Sequence, residues 1–259
     1  MPVKPFKAVL LLVLISCNNP PSGKASETGP AHPKDTVATY FSTISAIPLP
    51  DGYARINATQ DSFTEWLRSL RLKNSTTVYL FNGQEKKNQS AQFAVLDISV
   101  GTKDLQQCAD AVMRLRAEYL CEQKKYDAIL FTDNEGTDYR FKPPYSRPAF
   151  DNYLQRVFGM CGSASLAKQL KPSSLSAIKP GDVIIRGGFP GHAVMVMDVA
   201  RDDEGKKIFL LAQSYMPAQD IHVLKNPMNE GLSPWYAADE MTEIITPEYA
   251  FTLDEVRQW

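Results

Sequence analysis

The sequence predicts an α+β domain: an antiparallel sheet with one packed helix carrying Cys108, and an α/β extension on the N-terminal side. Three observations lead there. The span 180–213, PGDVIIRGGFPGHAVMVMDVARDDEGKKIFLLAQ, reads as strands joined by polar turns, and between Ala193 and Val199 only Asp198 is charged, the pattern of a strand covered on both faces. The span 104–123 repeats apolar residues at helical spacing. Elsewhere, short apolar runs alternate with polar turns, as hairpins do.

With 259 residues, 44% of them apolar, the chain has enough material for a substantial core. Its 28 basic and 29 acidic residues leave a net charge of −1 with no long basic run, so nothing marks a nucleic-acid partner.

Lys4 and Lys7 form a short positive region, an apolar stretch follows, and Leu14-Ile15-Ser16-Cys17 closes it with a small residue before a cysteine. This ending resembles the lipobox of bacterial lipoproteins. The likeness implies a signal peptide over residues 1–17, cut before Cys17, and acylation of the Cys17 thiol, which holds the domain in the cell envelope by a lipid anchor. Asn18 stands where an aspartate is associated with inner-membrane retention, which implies the outer membrane. The apolar stretch is short for the ~30 Å of a bilayer core. Residues 18–38 are rich in Pro, Ser, Gly and Asn and read as a flexible tether, with His32 needing no role there. Residues 39–259 then form a single globular domain.

The remaining cysteines, Cys108, Cys121 and Cys161, are odd in number, so at least one thiol is unpaired within the chain. Cys108 and Cys121 lie roughly 20 Å apart on one predicted helix and cannot pair with each other. Pairing of Cys161 with either stays open.

In chain order, Ser62 with Glu65 forms a capping-box pattern before the core stripe Phe63, Trp66, Leu67 and Leu70. Spans 76–81 and 92–100 are expected to pair as a hairpin across NGQEKKNQS. Asp104 is the expected cap of the helix 104–123, which places Cys108, Val112, Leu115 and Tyr119 on one face and the Arg114–Glu118 pair on the wetter side. A second hairpin joins 127–132 to 138–141, and helices are expected near 150–158 and 164–170. Lys179-Pro180-Gly181 turns into a strand over 182–186. The loop Gly187-Gly188-Phe189-Pro190-Gly191 then delivers His192 to the head of the next strand, and further strands fall at 207–214, 221–224 and 249–253.

A cysteine opening a helix and a histidine opening a buried strand have a joint chemical use. The helix N-terminus and an imidazolium both favour a thiolate, and a third polar group must hold the imidazole in one tautomer. If the turn at 202–205 is even, Gln213 falls opposite or diagonal to His192 on one face; an odd turn puts Ser214 there instead. Asp198 shares the His192 face but lies about 20 Å along the strand. Gln106 or Gln107, with the backbone N–H of Cys108, are candidate oxyanion donors. The plain alternatives are a core imidazole, an inert buried thiol and solvated glutamines. The glycine loop forms either one wall of a cleft with Phe189 as its apolar tip, or an ordinary connection. No Cys-x-x-Cys or His-x-x-x-His spacing marks a metal, and the glycines precede a strand rather than a helix, so no metal or cofactor is assigned.

The order Cys108, His192, Gln213 resembles papain-like cysteine hydrolases. Gly181-Asp182-Val183-Ile184 ahead of Gly191-His192-Ala193-Val194 is similar to the NlpC/P60 cell-wall peptidases, although Gln107-Cys108-Ala109 replaces their Asp-Cys-Ser. That likeness implies a papain-like (NlpC/P60-like) fold in which Cys108 attacks, His192 acts as base and Gln213 orients the ring. The phrases DLQQCADAVMRLRAEYL, PGDVIIRGGFPGHAVMVMDVA and AQSYMPAQDIHVLKN resemble an uncharacterised Bacteroides-type family of secreted proteins and lipoproteins, a domain of unknown function. The resulting expectation is a cell-envelope lipoprotein that hydrolyses an amide or transfers its acyl group, with peptidoglycan peptides as the substrate of that compartment. The alternative is an inactive papain-like scaffold that binds a glycan, a peptide or an envelope partner.

Overall fold

The long apolar run after His192 becomes the middle of one large sheet. The computed structural model describes Pro2, residues 40–239 and residues 241–259; the signal segment, Cys17 and the tether lie outside the described residues. The elements are β1 (Ala54–Arg55), α1 (Phe63–Ser69), β2 (Gln92–Val95), α2 (Cys108–Glu122), β3 (Leu130–Thr132), β4 (Asp138–Arg140), α3 (Arg147–Met160), α4 (Ser163–Gln169), β5 (Lys171–Pro172), β6 (Val183–Arg186), β7 (His192–Arg201), β8 (Lys207–Gln213), β9 (His222–Leu224), β10 (Tyr236–Ala237), β11 (Glu243–Ile245), β12 (Ala250–Thr252) and β13 (Val256–Gln258). The large sheet runs β2-β9-β8-β7-β6-β13-β5, with β1 on β7 and β10 on β8. All of its pairings are antiparallel. The architecture is the expected α+β class.

β7 is buried from His192 to Ala200, because both faces of the sheet are covered. On one face Ala193, Met195 and Met197 pack with Leu210, Ala212 and, from α2, Val112 and Leu115. On the other, Val194, Val196, Phe209 and Leu211 pack with Ile244 and Phe251 of the β11–β12 hairpin. Each fully buried Val, Leu, Ile, Phe or Met side chain among these contributes about 1.5–3 kcal/mol. Asp198 is the charged exception, and it is satisfied: it accepts from Arg55 Nε and Arg68 Nε, both at 2.6 Å, and from its neighbour's N–H, Val199, at 2.9 Å.

Those two arginines sit on β1 and α1, so the N-terminal α/β portion is built into the sheet. β1 pairs with β7 and β2 with β9. The expected hairpin between 76–81 and 92–100 does not form. Residues 78–86 fold back on themselves instead, with Leu80 N–H donating to Gln84 O (2.7 Å) and Lys86 N–H to Val78 O (2.9 Å). That local closure leaves β2 to pair with β9 and seat Ala94 and Val95 in the interior.

The other local expectations hold more closely. Ser62 Oγ accepts from Glu65 N–H at the start of α1, while the Glu65 carboxylate reaches back to Asp61 N–H rather than to the cap itself. β3 and β4 pair as expected, with Phe131 opposite Tyr139. The helix α3 begins ahead of the expected span because Ser146 caps it and Pro148 suits the first turn. The Arg114–Glu118 pair is not on a wet face: Arg147 of α3 lies over it and forks onto Glu118 at 2.7 and 2.9 Å. Among the described residues, no helix is long and apolar enough to cross a membrane.

Candidate active site

Cys108 is the first residue of α2, because the helix starts later than the expected Asp104 cap. Gln107 N–H donates to Asp110 Oδ2 at 3.0 Å, closing the first turn. Asp104 is used elsewhere, accepting from Ala218 N–H (2.6 Å) and Gln107 Nε2 (3.1 Å). Ser214 Oγ donates towards Gln106 O (2.9 Å) and Gln219 O (2.8 Å). The connection after β8 therefore pins the segment that presents Cys108.

His192 and Gln213 are brought together, by a route the sequence does not suggest. The β7–β8 turn is odd: Arg201 pairs with Lys207 across residues 202–206. Taken alone, that register puts Gln213 on the wrong face. A β-bulge between Val196 and Asp198 inserts one extra residue, and beyond it Met195 faces Ala212. Gln213 thus lies diagonal to His192 on the same face, 2.8 Å from Oε1 to the ring Nε2. The same bulge sends Asp198 to the opposite face from His192, where the expectation had them together.

The surroundings of Gln213 fix the histidine's tautomer. Gln213 Nε2 is 2.8 Å from Glu248 Oε2, and an ionised carboxylate only accepts, so the amide nitrogen must face it. The amide oxygen is left for His192, which makes Nε2 the protonated nitrogen and leaves the Nδ1 lone pair as the base. The second amide hydrogen points to His222 Nε2 (3.4 Å), whose Nδ1–H donates to Asp220 O (2.9 Å). Glu248 is held in turn by Lys86 Nζ (2.5 Å) and Asn88 Nδ2 (3.0 Å). Lys86, His222 and Glu248 escaped the sequence reading. Lys86 sits in a polar turn 162 residues from Glu248, and no spacing links them.

Cys108 and His192 are neighbours without being bonded. The helix α2 packs on the Ala193 face of β7, whereas the His192 ring lies among Tyr215, Tyr249 and Phe251 at 4.7, 4.9 and 5.9 Å between centroids. Among the described residues no hydrogen bond joins the thiol to the imidazole. The sulfur faces the backbone N–H groups of Cys108, Ala109 and Ala193, the residue next to His192.

Burial dominates both groups. It pushes the Cys108 thiol up to about 11, outweighing the stabilising backbone N–H groups around the sulfur. It pushes His192 down to about 4, against the opposing hydrogen bond that Nε2–H donates to Gln213. The resting pair is therefore neutral thiol and neutral imidazole, not the thiolate and imidazolium expected from a helix start. The dipole of a helix end favours an anion by about 0.3–1 kcal/mol, and desolvation of a buried charge exceeds that.

A cavity of about 480 Å³ opens beside Cys108, walled by Gln107, Ala109, Phe158, Gly188, Phe189 and Gly191 among others. The glycine loop is thus a cleft wall, and Phe189 is 98% exposed. Gly191 is required by close approach: a Cβ there would strike Ser163 Oγ and lie 2.5 Å from Gly188 O and 2.8 Å from Arg186 O. Gln107 lines the cleft, but Gln106 cannot donate to an oxyanion. It is 1% exposed, with its amide nitrogen on Gln219 O and its oxygen on Arg114.

Cys108, Cys121 and Cys161 are all free, so neither pairing left open for Cys161 is formed, although Cys161 lines the same cleft as Cys108. Among the described residues no group of three or more His, Cys, Asp or Glu side chains is placed to hold a metal ion.

No curated protein and no solved structure matches the chain. A family described as Domain of unknown function (4846) matches residues 44–146 and 140–258. These segments carry Cys108, the β7–β8 pair with His192 and Gln213, and Glu248, and the chain belongs to that family.

Proposed function

We propose that this domain carries out cysteine-dependent hydrolysis of an amide in the cell envelope, or transfer of its acyl group, on a papain-like (NlpC/P60-like) arrangement. The observation that carries this reading is the His192–Gln213–Glu248 chain. It holds the imidazole with Nδ1 as a free base, one residue from the backbone N–H that the Cys108 sulfur faces.

Because both groups rest neutral, the reaction is a coupled one. The step requires the Cys108 side chain to leave Ala193 N–H and reach Nδ1, to which its proton moves as sulfur attacks the carbonyl carbon. The imidazolium so formed is stabilised through Nε2–H by Gln213. In this reading the backbone N–H of Cys108, at the open start of α2, binds the developing oxyanion. His192 then protonates the leaving amine, and water attacks the thioester with its proton passing to Nδ1, which releases the acid and restores the thiol. Lipid anchoring through Cys17 would put this chemistry at the outer membrane, where peptidoglycan peptides are the substrate the compartment offers.

A second reading, a scaffold that binds a peptide or glycan without cleaving it, is favoured by the missing Cys108–His192 hydrogen bond. Incubating the full chain and a Cys108→Ala variant with peptidoglycan peptides separates the two. The hydrolase reading predicts new amino termini from the wild type and a loss on the order of 10³-fold or more in the variant. Equal retention of the peptides by both proteins with no new termini would establish the scaffold instead.

A further inference from the structure

We propose that the cleft beside Cys108 takes the uncharged, apolar side chain of a peptide and selects against acidic and basic ones. What is done to the bound peptide rests on the reading of Cys108 as nucleophile; what binds does not. The cavity, about 480 Å³, is of a size for one large side chain with its flanking backbone. Ala109, Phe158, Ala164, Pro190 and Met216 supply much of its lining, and Asp110 is the one Asp, Glu, Lys or Arg among the described lining residues.

That carboxyl cannot serve as a counter-ion. Asp110 is 7% exposed, Oδ2 is used by Gln107 N–H, and Oδ1 is buried without a partner. Burial also raises its pKa well above the usual carboxylate range. An acidic ligand therefore finds no cation among the described lining residues to pair with. A basic ligand finds a carboxylate it cannot reach. The rim favours the third class: Phe189 is 98% and Met216 51% exposed, and an apolar side chain entering between them removes both from water.

The test uses the full chain with Cys108→Ala, so that binding is read without turnover, and three dye-labelled, end-blocked tripeptide amides that differ only in a central Phe, Glu or Lys. Fluorescence polarisation should show the Phe peptide binding at least about ten-fold more tightly than the other two. Adding Phe189→Ala, at a side chain too exposed to support the fold, should remove most of that preference. Equal or tighter binding of the Glu or Lys peptide, no saturable binding by any of them, or no effect of Phe189→Ala would overturn the proposal. If the Phe preference holds while wild-type Cys108 never becomes acylated, the cleft assignment stands and the hydrolase reading falls.

Discussion

Replacing Glu248 with alanine is expected to destabilise the domain by about 3–5 kcal/mol, the cost of breaking a buried ion pair and leaving one charge uncompensated. Lys86 is only 7% exposed and Glu248 13%, and burial already lowers the Lys86 pKa, with Glu248 opposing that shift. The same substitution should release Gln213. Without a carboxylate to demand its N–H, the amide can turn over and offer hydrogen to His192 Nε2, moving the ring proton to Nδ1. Chemical denaturation measures the first effect and ¹⁵N NMR of the imidazole nitrogens measures the second. Glu248→Gln separates them: it should recover part of the stability while still failing to fix the tautomer, because its own amide can face Gln213 either way. A wild-type-like nitrogen spectrum in both variants would mean that Glu248 does not position His192.

The second large effect concerns pH. His192 and His222 are both pushed down to about 4 by burial, against about 6.5 in an unfolded chain. The unfolded state takes up the proton first, so each histidine's contribution is fully present above about pH 6.5. It is lost as pH falls towards 4, to a total of about 3 kcal/mol per group. Asp110 and Asp182 oppose this, since their raised pKa values make the folded state bind protons more readily. The wild-type slope is therefore a mixture, and the histidine part is read as a difference. Between pH 7.5 and 4.5, urea unfolding of His192→Gln should lose about 2–3 kcal/mol less stability than the wild type. Parallel curves would show that His192 does not carry the proton linkage.

Much of the scaffold was legible because its signals are local. The Ser62–Glu65 cap, the β3–β4 hairpin and the doubly covered strand after His192 each depend on residues close in sequence. The pairing of β2 was not, because an edge can accept either of two partners and the choice fell to a tight local closure at 78–86. Gln213 reached its expected place for a reason different from the one argued. An odd turn and a one-residue bulge cancel in parity, and only the sum shows in the product. Position also proved easier to read than electrostatic state. A helix start marked Cys108, but its neutral thiol follows from burial by distant segments that no spacing in the chain reveals. Glu248 and Lys86 are hidden for the same reason.

The central claim is that His192 serves as the base for Cys108, and an acyl-transfer probe tests it most directly. An activated ester of a blocked, uncharged amino acid is presented near neutral pH to the wild type and to His192→Gln, and the acylated cysteine is located by peptide mapping. The account predicts acyl transfer to Cys108 and not to Cys121 or Cys161, with a rate lower by about 10²–10⁴-fold in His192→Gln. Acylation of Cys121 in preference to Cys108, or equal rates at Cys108 with and without the imidazole, would contradict it.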